Sequence, residues 1–246
     1  MEAATRDRAS AETSEREKLL AALRRMDART GEHGKAKYYE TTGRSREFVT
    51  RWITSNAPGR VFLDYACGDG RHALPAARSG ATIAVGIDIS RLSIESCRRA
   101  VEPPTLADRT FFLRGDCEDM GLPDHSIDLA VCSGMLHHLD LSYAFPERRR
   151  ILKPGGRVLA YEALDYNPLI KLYRSLKDLA FARRFFEVRD IHYRHLLSIL
   201  TTPMRATALF KPLLSVANAL DAAVLRVFPL RLMAWIFTFE LVKRLD

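Results

Sequence analysis

The sequence predicts an α/β fold, a doubly wound parallel sheet with helices on both of its faces. Three observations carry that expectation. Five short, β-rich apolar stretches recur at residues 61–65, 82–87, 111–114, 127–132 and 157–161. Helical stretches at 71–78, 91–101 and, less regularly, 143–152 separate them. The apolar stretches run on rather than alternate, as strands covered on both faces do.

Ahead of the first strand, residues 11–29 carry Leu19, Leu20, Leu23 and Met26 at helical spacing with charges opposite, which predicts an amphipathic N-terminal helix. TGEHGK follows, then Tyr38 and Tyr39, then a second helical stretch at 45–54 that the breaker NAPG ends. KPGG, from Lys153 to Gly156, predicts a turn that feeds the fifth strand. Beyond Asn167 the pattern is mainly helical, with strands expected near 185–191 and at 234–242. Pro203, Pro212 and Pro229 punctuate the leucine-rich helices between them, which suit a cap. We therefore expect a helical extension at 1–34 and one domain at 35–246, its core at about 60–165 and its cap and final strands at 166–246.

The chain's 246 residues, 47% hydrophobic and 28% charged, are the balance of an ordinary globule. Cys67, Cys97, Cys117 and Cys132 form no C-x-x-C pair, which predicts free thiols rather than a disulfide framework or a zinc site. The first residues are polar, without the apolar run of a signal peptide, and the apolar run at 232–239 is too short to span a bilayer. A cytoplasmic protein is the expectation. Net charge is +8, and residues 167–246 hold 13 Lys and Arg against 6 Asp and Glu. That basic third suits an acidic substrate, weak association with a membrane surface, or a solvated face; with no RNA-binding motif, no nucleic-acid partner is expected.

Between the first strand and its helix lies VFLDYACGDGRHALPAA. Gly68-Asp69-Gly70-Arg71-His72-Ala73 satisfies G-x-G-x-x-G/A, and Asp88 ends the second strand, where an acid grips ribose hydroxyls. NAD would satisfy this pattern as well as any other adenosine cofactor. A pyrophosphate at this turn would meet Asp64 and Asp69 at short range. S-adenosylmethionine carries a sulfonium and an ammonium instead, which those acids favour, although Arg71 could serve either a phosphate or a carboxylate.

Further segments widen the comparison. FLDYACGDGRH, VGIDIS, GDCEDMGLP, IDLAVCSGMLHHLD and LKPGGRVLAYEAL, in that order over about residues 60–165, closely resemble the class I S-adenosylmethionine-dependent methyltransferases, in particular the small-molecule group with a methyltransferase-11-type core. The resemblance implies a Rossmann-like seven-stranded sheet, mostly parallel with an antiparallel last strand, and S-adenosyl-L-methionine as cofactor. It implies that Gly68 and Gly70 let the backbone approach the methionyl part, that Asp64 orients the turn or reaches the amino group through water, and that Asp88 takes both ribose hydroxyls. Ile89 would pack on the adenine, Asp116 would accept from its amino group, and the Cys117 backbone N–H would face the ring. Ser133 would line the methionyl side, and Tyr39 would close over the cofactor. No metal is implied.

A methyl transfer is mostly a matter of positioning, and a base is needed only where the acceptor must lose a proton. His137 and His138 follow the fourth strand, and His138 is the candidate base; His192 and His195 come second. CSGMLHH is not the N/D-P-P-Y/F pattern of amino-group methylation on adenine or glutamine, so the expected acceptor is a small molecule, an apolar one if the leucine-rich cap lines its pocket. After NPLIKLYR the chain passes directly to SLKDLAFARRFF, a departure from the polar TP…RT…EH stretch of the family it resembles, and a shortened cap segment there would leave that pocket more open. The alternatives are an NAD(P)-dependent oxidoreductase and a non-catalytic protein that binds a cofactor or a membrane surface.

Overall fold

In a computed structural model of the chain, the residues described are 40–102, 104–163, 179–228 and 230–245. The expected helix at 11–29, the extension at 1–34, and Tyr38 and Tyr39 lie outside them. The described residues hold a seven-stranded sheet: β1 (Val61–Tyr65), β2 (Ile83–Asp88), β3 (Thr110–Arg114), β4 (Ile127–Ser133), β5 (Leu152–Ala163), β6 (Glu187–Arg194) and β7 (Ile236–Val242). Its order is β3-β2-β1-β4-β5-β7-β6. Neighbours from β3 to β5 pair parallel, while β7 pairs antiparallel with both β5 and β6. The helices are α1 (Gly43–Asn56), α2 (Ala73–Arg78), α3 (Arg91–Arg99), α4 (Leu141–Ile151) and α5 (Phe210–Val224).

The continuous apolar runs of the sequence are the central strands. β1 and β4 are buried almost throughout, and every residue of β7 is buried. The core is split by the sheet. One layer holds Leu63, Val85, Ile87 and Ile127 with Phe145, Phe186 and Phe239, the other Val49, Ile53, Phe62, Leu129 and Leu159. A third, smaller cluster lies under the glycine turn, where the Phe112 ring fills the space left by two glycines. A Cβ on Gly86 would fall 2.6 Å from that ring, and one on Gly70 3.0 Å from it. Phe112 thus wedges β3 against β2 and against the turn that begins α2.

Two expectations need correction. KPGG is not a turn ahead of the fifth strand but part of it, set off from β4 by a register shift between Ile127 and Leu129. The extra residues are held by the residue that follows β7: Gly155 N–H donates to the Lys243 carbonyl at 3.0 Å, and Lys243 N–H donates to that of Gly156 at 2.9 Å. The sixth strand begins two residues later than expected and runs to Arg194. Phe185 and Phe186 belong to the core instead, packed on Phe145 at ring distances of 6.2 and 6.0 Å.

Candidate active site

The carboxyl ends of β1, β2 and β4 meet beside the turn at Ala66–Gly70. Asp64, buried within β1, accepts hydrogen bonds from the His72 and Ala73 amides at 3.2 and 3.0 Å, holding the first turn of α2 against the sheet. Burial outweighs those two bonds and pushes the Asp64 carboxyl up to about 7. Asp88, at the end of β2, accepts from Gly68 N–H through one oxygen and from Ser90 N–H through the other, both at 2.8 Å. An ionised carboxylate offers about four lone-pair sites, so about two remain for a ligand.

A cavity of about 550 Å³ opens beside this turn, walled by Cys67, Gly68, Asp69 and His72 on one side and Ser133, Gly134 and Tyr161 on the other. Gly68, at φ +50°, faces open space, where a side chain would enter the cavity. Gly70, at φ +74°, does something else: its missing Cβ makes room for Phe112 and Cys97, so only Gly68 of the two brings bare backbone to the cavity. Sequence reasoning missed Arg46 and Val49 of α1, which form a further wall.

The charges are arranged differently from the sequence-based expectation. Arg71 pairs with Asp69 through two bonds of 3.0 and 2.6 Å, which holds the Asp69 carboxyl below its usual range. With Asp69 neutralised in place and Asp64 weakly acidic, the attraction of this turn for a cation falls chiefly to Asp88. His72 is half-buried, and desolvation of its ring lowers its pKa to about 4. Its Nε2 has no hydrogen-bond partner among the described residues, an unmet polar atom in the cavity wall.

Ile89 is 68% exposed, an apolar side chain laid bare beside Asp88. Asp116 is exposed and accepts from Glu118 N–H at 2.9 Å, the local turn bond that its position after β3 allows. Cys117 is buried, and its carbonyl accepts from the Tyr65 hydroxyl. All four cysteines are free and buried, and burial raises each thiol above its usual range, which removes them as nucleophiles. Among the described residues no group of three His, Cys, Asp or Glu side chains is placed to hold a metal.

After β4 the chain makes a 3-10 turn at Leu136–His138. Glu162, buried near the end of β5, receives it: one oxygen accepts from the Met135 and Leu136 amides, both at 2.9 Å, and the other meets His137 Nδ1 at 3.1 Å. His138 lies against His137 with ring centroids 4.0 Å apart and the planes tilted by 43°, and both rings are exposed. Of the two histidines it is His137, and not the His138 chosen from sequence, whose ring is oriented by a carboxylate.

The second-tier histidines part company. His192 packs edge-on against Phe48 at 5.3 Å. His195 is buried at φ +66° in a chain of hydrogen bonds: Ser45 Oγ to His195 Nε2 at 2.7 Å, His195 Nδ1 to Ser198 Oγ at 2.9 Å, and Ser198 Oγ to Asp221 at 2.7 Å. It ties α5 to α1 and is closed to solvent, so it is a structural residue here.

This geometry, a seven-stranded sheet with β7 reversed and a bare glycine turn facing an acid at the end of β2, has counterparts. Residues 63–160 match the family described as a methyltransferase domain. This stretch is a methyltransferase domain. Among curated relatives, the 27-O-demethylrifamycin SV methyltransferase of Amycolatopsis mediterranei is 27% identical over 141 residues, 54% of this chain and 52% of that protein. The ubiquinone/menaquinone biosynthesis C-methyltransferase of Geotalea daltonii is 35% identical over 120 residues, 48% of this chain and 51% of that protein. The chain thus spans about half the length of these relatives. A solved geranyl diphosphate methyltransferase in complex with GPP and sinefungin superposes with a TM-score of 0.58 at 12% identity, covering 83% of this chain and 78% of that one. At that identity the likeness is one of fold.

Proposed function

We propose that the chain is an S-adenosylmethionine-dependent methyltransferase that acts on a small-molecule acceptor. The observation that carries this reading is the pairing of Gly68 and Asp88: the acid fixes the bare turn through the amide of Gly68, which lines the cavity, and about two of its lone-pair sites stay unused beside it. The chemistry around the turn fits the cofactor, since Asp88 offers acceptors for two ribose hydroxyls, the exposed Ile89 next to it an apolar face for a planar base, and Gly68 open backbone at the cavity itself. When bound, the cofactor supplies an activated methyl group for in-line displacement. The small-molecule acceptor is supported by two relatives whose names state such chemistry, the rifamycin and quinone methyltransferases.

In this proposal Asp88 holds the ribose, Ile89 and Asp116 flank the adenine with the Cys117 amide, and Gly68 with Ser133 admits the methionyl part. Asp64 and Gly70 act through the turn they shape, and Tyr39 belongs to the same proposal from outside the described residues. Where the acceptor must lose a proton, His137 takes it, oriented by Glu162, with the tilted ring of His138 beside it. No helix among the described residues is long and apolar enough to cross a membrane, and a cytoplasmic site of action goes with this proposal.

Calorimetry tests it. The wild-type chain is expected to release heat with S-adenosylmethionine and none with NADH, and Asp88→Ala to weaken the former. Tight NADH binding with no response to S-adenosylmethionine would overturn the proposal.

A further inference from the structure

We infer that the cavity at the carboxyl end of β6 is an anion site suited to a phosphate group. It measures about 440 Å³, and its walls bring together Arg44 of α1, Arg194 of β6, and Arg226 and Arg231 just beyond α5. The volume is that of a small-ligand site. One carboxylate lines it, Asp221, and that group is spent: it is buried and accepts from the Leu197 amide at 2.7 Å, the Ser198 amide at 3.2 Å and the Ser198 hydroxyl at 2.7 Å.

None of the four guanidinium groups is paired with a carboxylate among the described residues. Arg44 donates to the Asn218 carbonyl at 3.2 Å, and Arg194 donates to Thr238 Oγ1 at 2.9 Å while lying 4.1 Å over the Phe48 ring. Arg231 sits over Phe228 at 5.3 Å and Tyr193 at 5.9 Å. Aromatic faces hold these cations in place without neutralising them. Four like charges around one hollow repel each other, and an anion seated between them turns that repulsion into attraction. Arginines converging from three elements suit a group with three or more acceptor oxygens, which is phosphate rather than carboxylate.

The cavity shares α1 with the cofactor cavity, since Arg44 faces one and Arg46 and Val49 face the other. A phosphate held here would anchor an acceptor whose far end reaches toward the methyl group; that role rests on the proposed methyltransferase activity, whereas the binding does not. The phosphate could come from a soluble ester or from a lipid headgroup. The outer side of α5 is relevant to the second source, because Leu213, Val216 and Leu220 are exposed there, opposite the side that lines the cavity, with Leu209 and Val227 exposed just beyond its two ends.

The test titrates the full chain at low ionic strength with inorganic phosphate and with pyrophosphate, followed by ³¹P NMR, and measures co-sedimentation with phosphatidylcholine vesicles with and without phosphatidate. Arg226 and Arg231 are exposed, so Arg226→Gln and Arg231→Gln leave the core intact. Saturable binding by the wild type, weakened about tenfold in each variant with S-adenosylmethionine binding unchanged, supports the site. Free phosphate or pyrophosphate binding identifies a soluble ester, and phosphatidate-dependent sedimentation lost in both variants identifies a headgroup. No saturable binding to any probe, or binding that both variants retain, overturns it. Phosphate binding without S-adenosylmethionine binding would leave this site standing and remove the methyltransferase proposal alone.

Discussion

The ends of β2 and β6 lie on the same edge of the sheet yet present opposite chemistry. At β2 the acid is half-buried, fixes two backbone amides and keeps about two acceptor sites unused beside the glycine turn. At β6 the polar groups are sunk into the Ser45–His195–Ser198–Asp221 chain, and what remains at the surface of the cavity is cationic. One end is therefore ready for hydroxyls and positive charge, the other for negative charge. The contrast teaches that a site's preference follows from what the fold has left unsatisfied, and not from how many charged residues surround it.

The largest effect should come from the group between these ends. If the acceptor is a hydroxyl, His137→Ala should lower turnover by roughly 10²–10⁴-fold with cofactor affinity unchanged, and His138→Ala by less than tenfold. The reverse order in steady-state assays would return the base to His138. Glu162→Gln should shift the pH profile of turnover as well as its level, because it changes the charge that orients His137.

The next tests the buried end. Burial holds His195 neutral and lowers its pKa from 6.5 to about 4. Between those values the unfolded chain binds the extra proton, so this contribution to stability is complete above about pH 6.5 and is lost as pH falls toward 4, about 3 kcal/mol at most. Thermal unfolding from pH 7.5 to 4.5 should show the steeper loss in the wild type than in His195→Asn. Equal slopes would mean that the ring is not the neutral partner its hydrogen bonds require.

At the exposed acceptor end, Asp88→Ala should weaken S-adenosylmethionine by about 1.5–3 kcal/mol per ribose bond lost, part of it recovered by water. An unchanged dissociation constant in calorimetry would move the ribose elsewhere. The smallest effect belongs to Ile89→Ser. With the side chain 68% exposed, stability should change by no more than about 0.5 kcal/mol, while cofactor binding weakens measurably. A clear drop in melting temperature would place Ile89 in the fold rather than at the site.

Much of this was legible in the sequence, for physical reasons. Strands buried on both faces need apolar side chains throughout, and β1 matched its expected bounds, Val61–Tyr65. The edge strand β6 reads EVRDIHYR because it is only half-covered, so its pattern is weak and its start was misplaced. The KPGG bulge was hidden because its pairing partner, Lys243, lies far along the chain. Glu162 looked like any acid at a strand end, and its role depends on a loop folding back to it from residues 135–137. The basic charge of the last third was countable, but the convergence of Arg44 with Arg194, Arg226 and Arg231 was not, because α1, the end of β6 and the segment after α5 lie far apart in the chain.

The position of β7 bears on how the chain is made. β7 lies between β5 and β6 in the sheet but follows β6 by a long excursion through α5. During synthesis β1 to β5 can therefore assemble while β6 has no strand to pair with until residues 236–242 leave the ribosome. The glycine turn would be formed early and the arginine-lined cavity last. A nascent chain stalled before β7 should already protect the region around Gly68 from protease while leaving residues 187–194 open to cleavage.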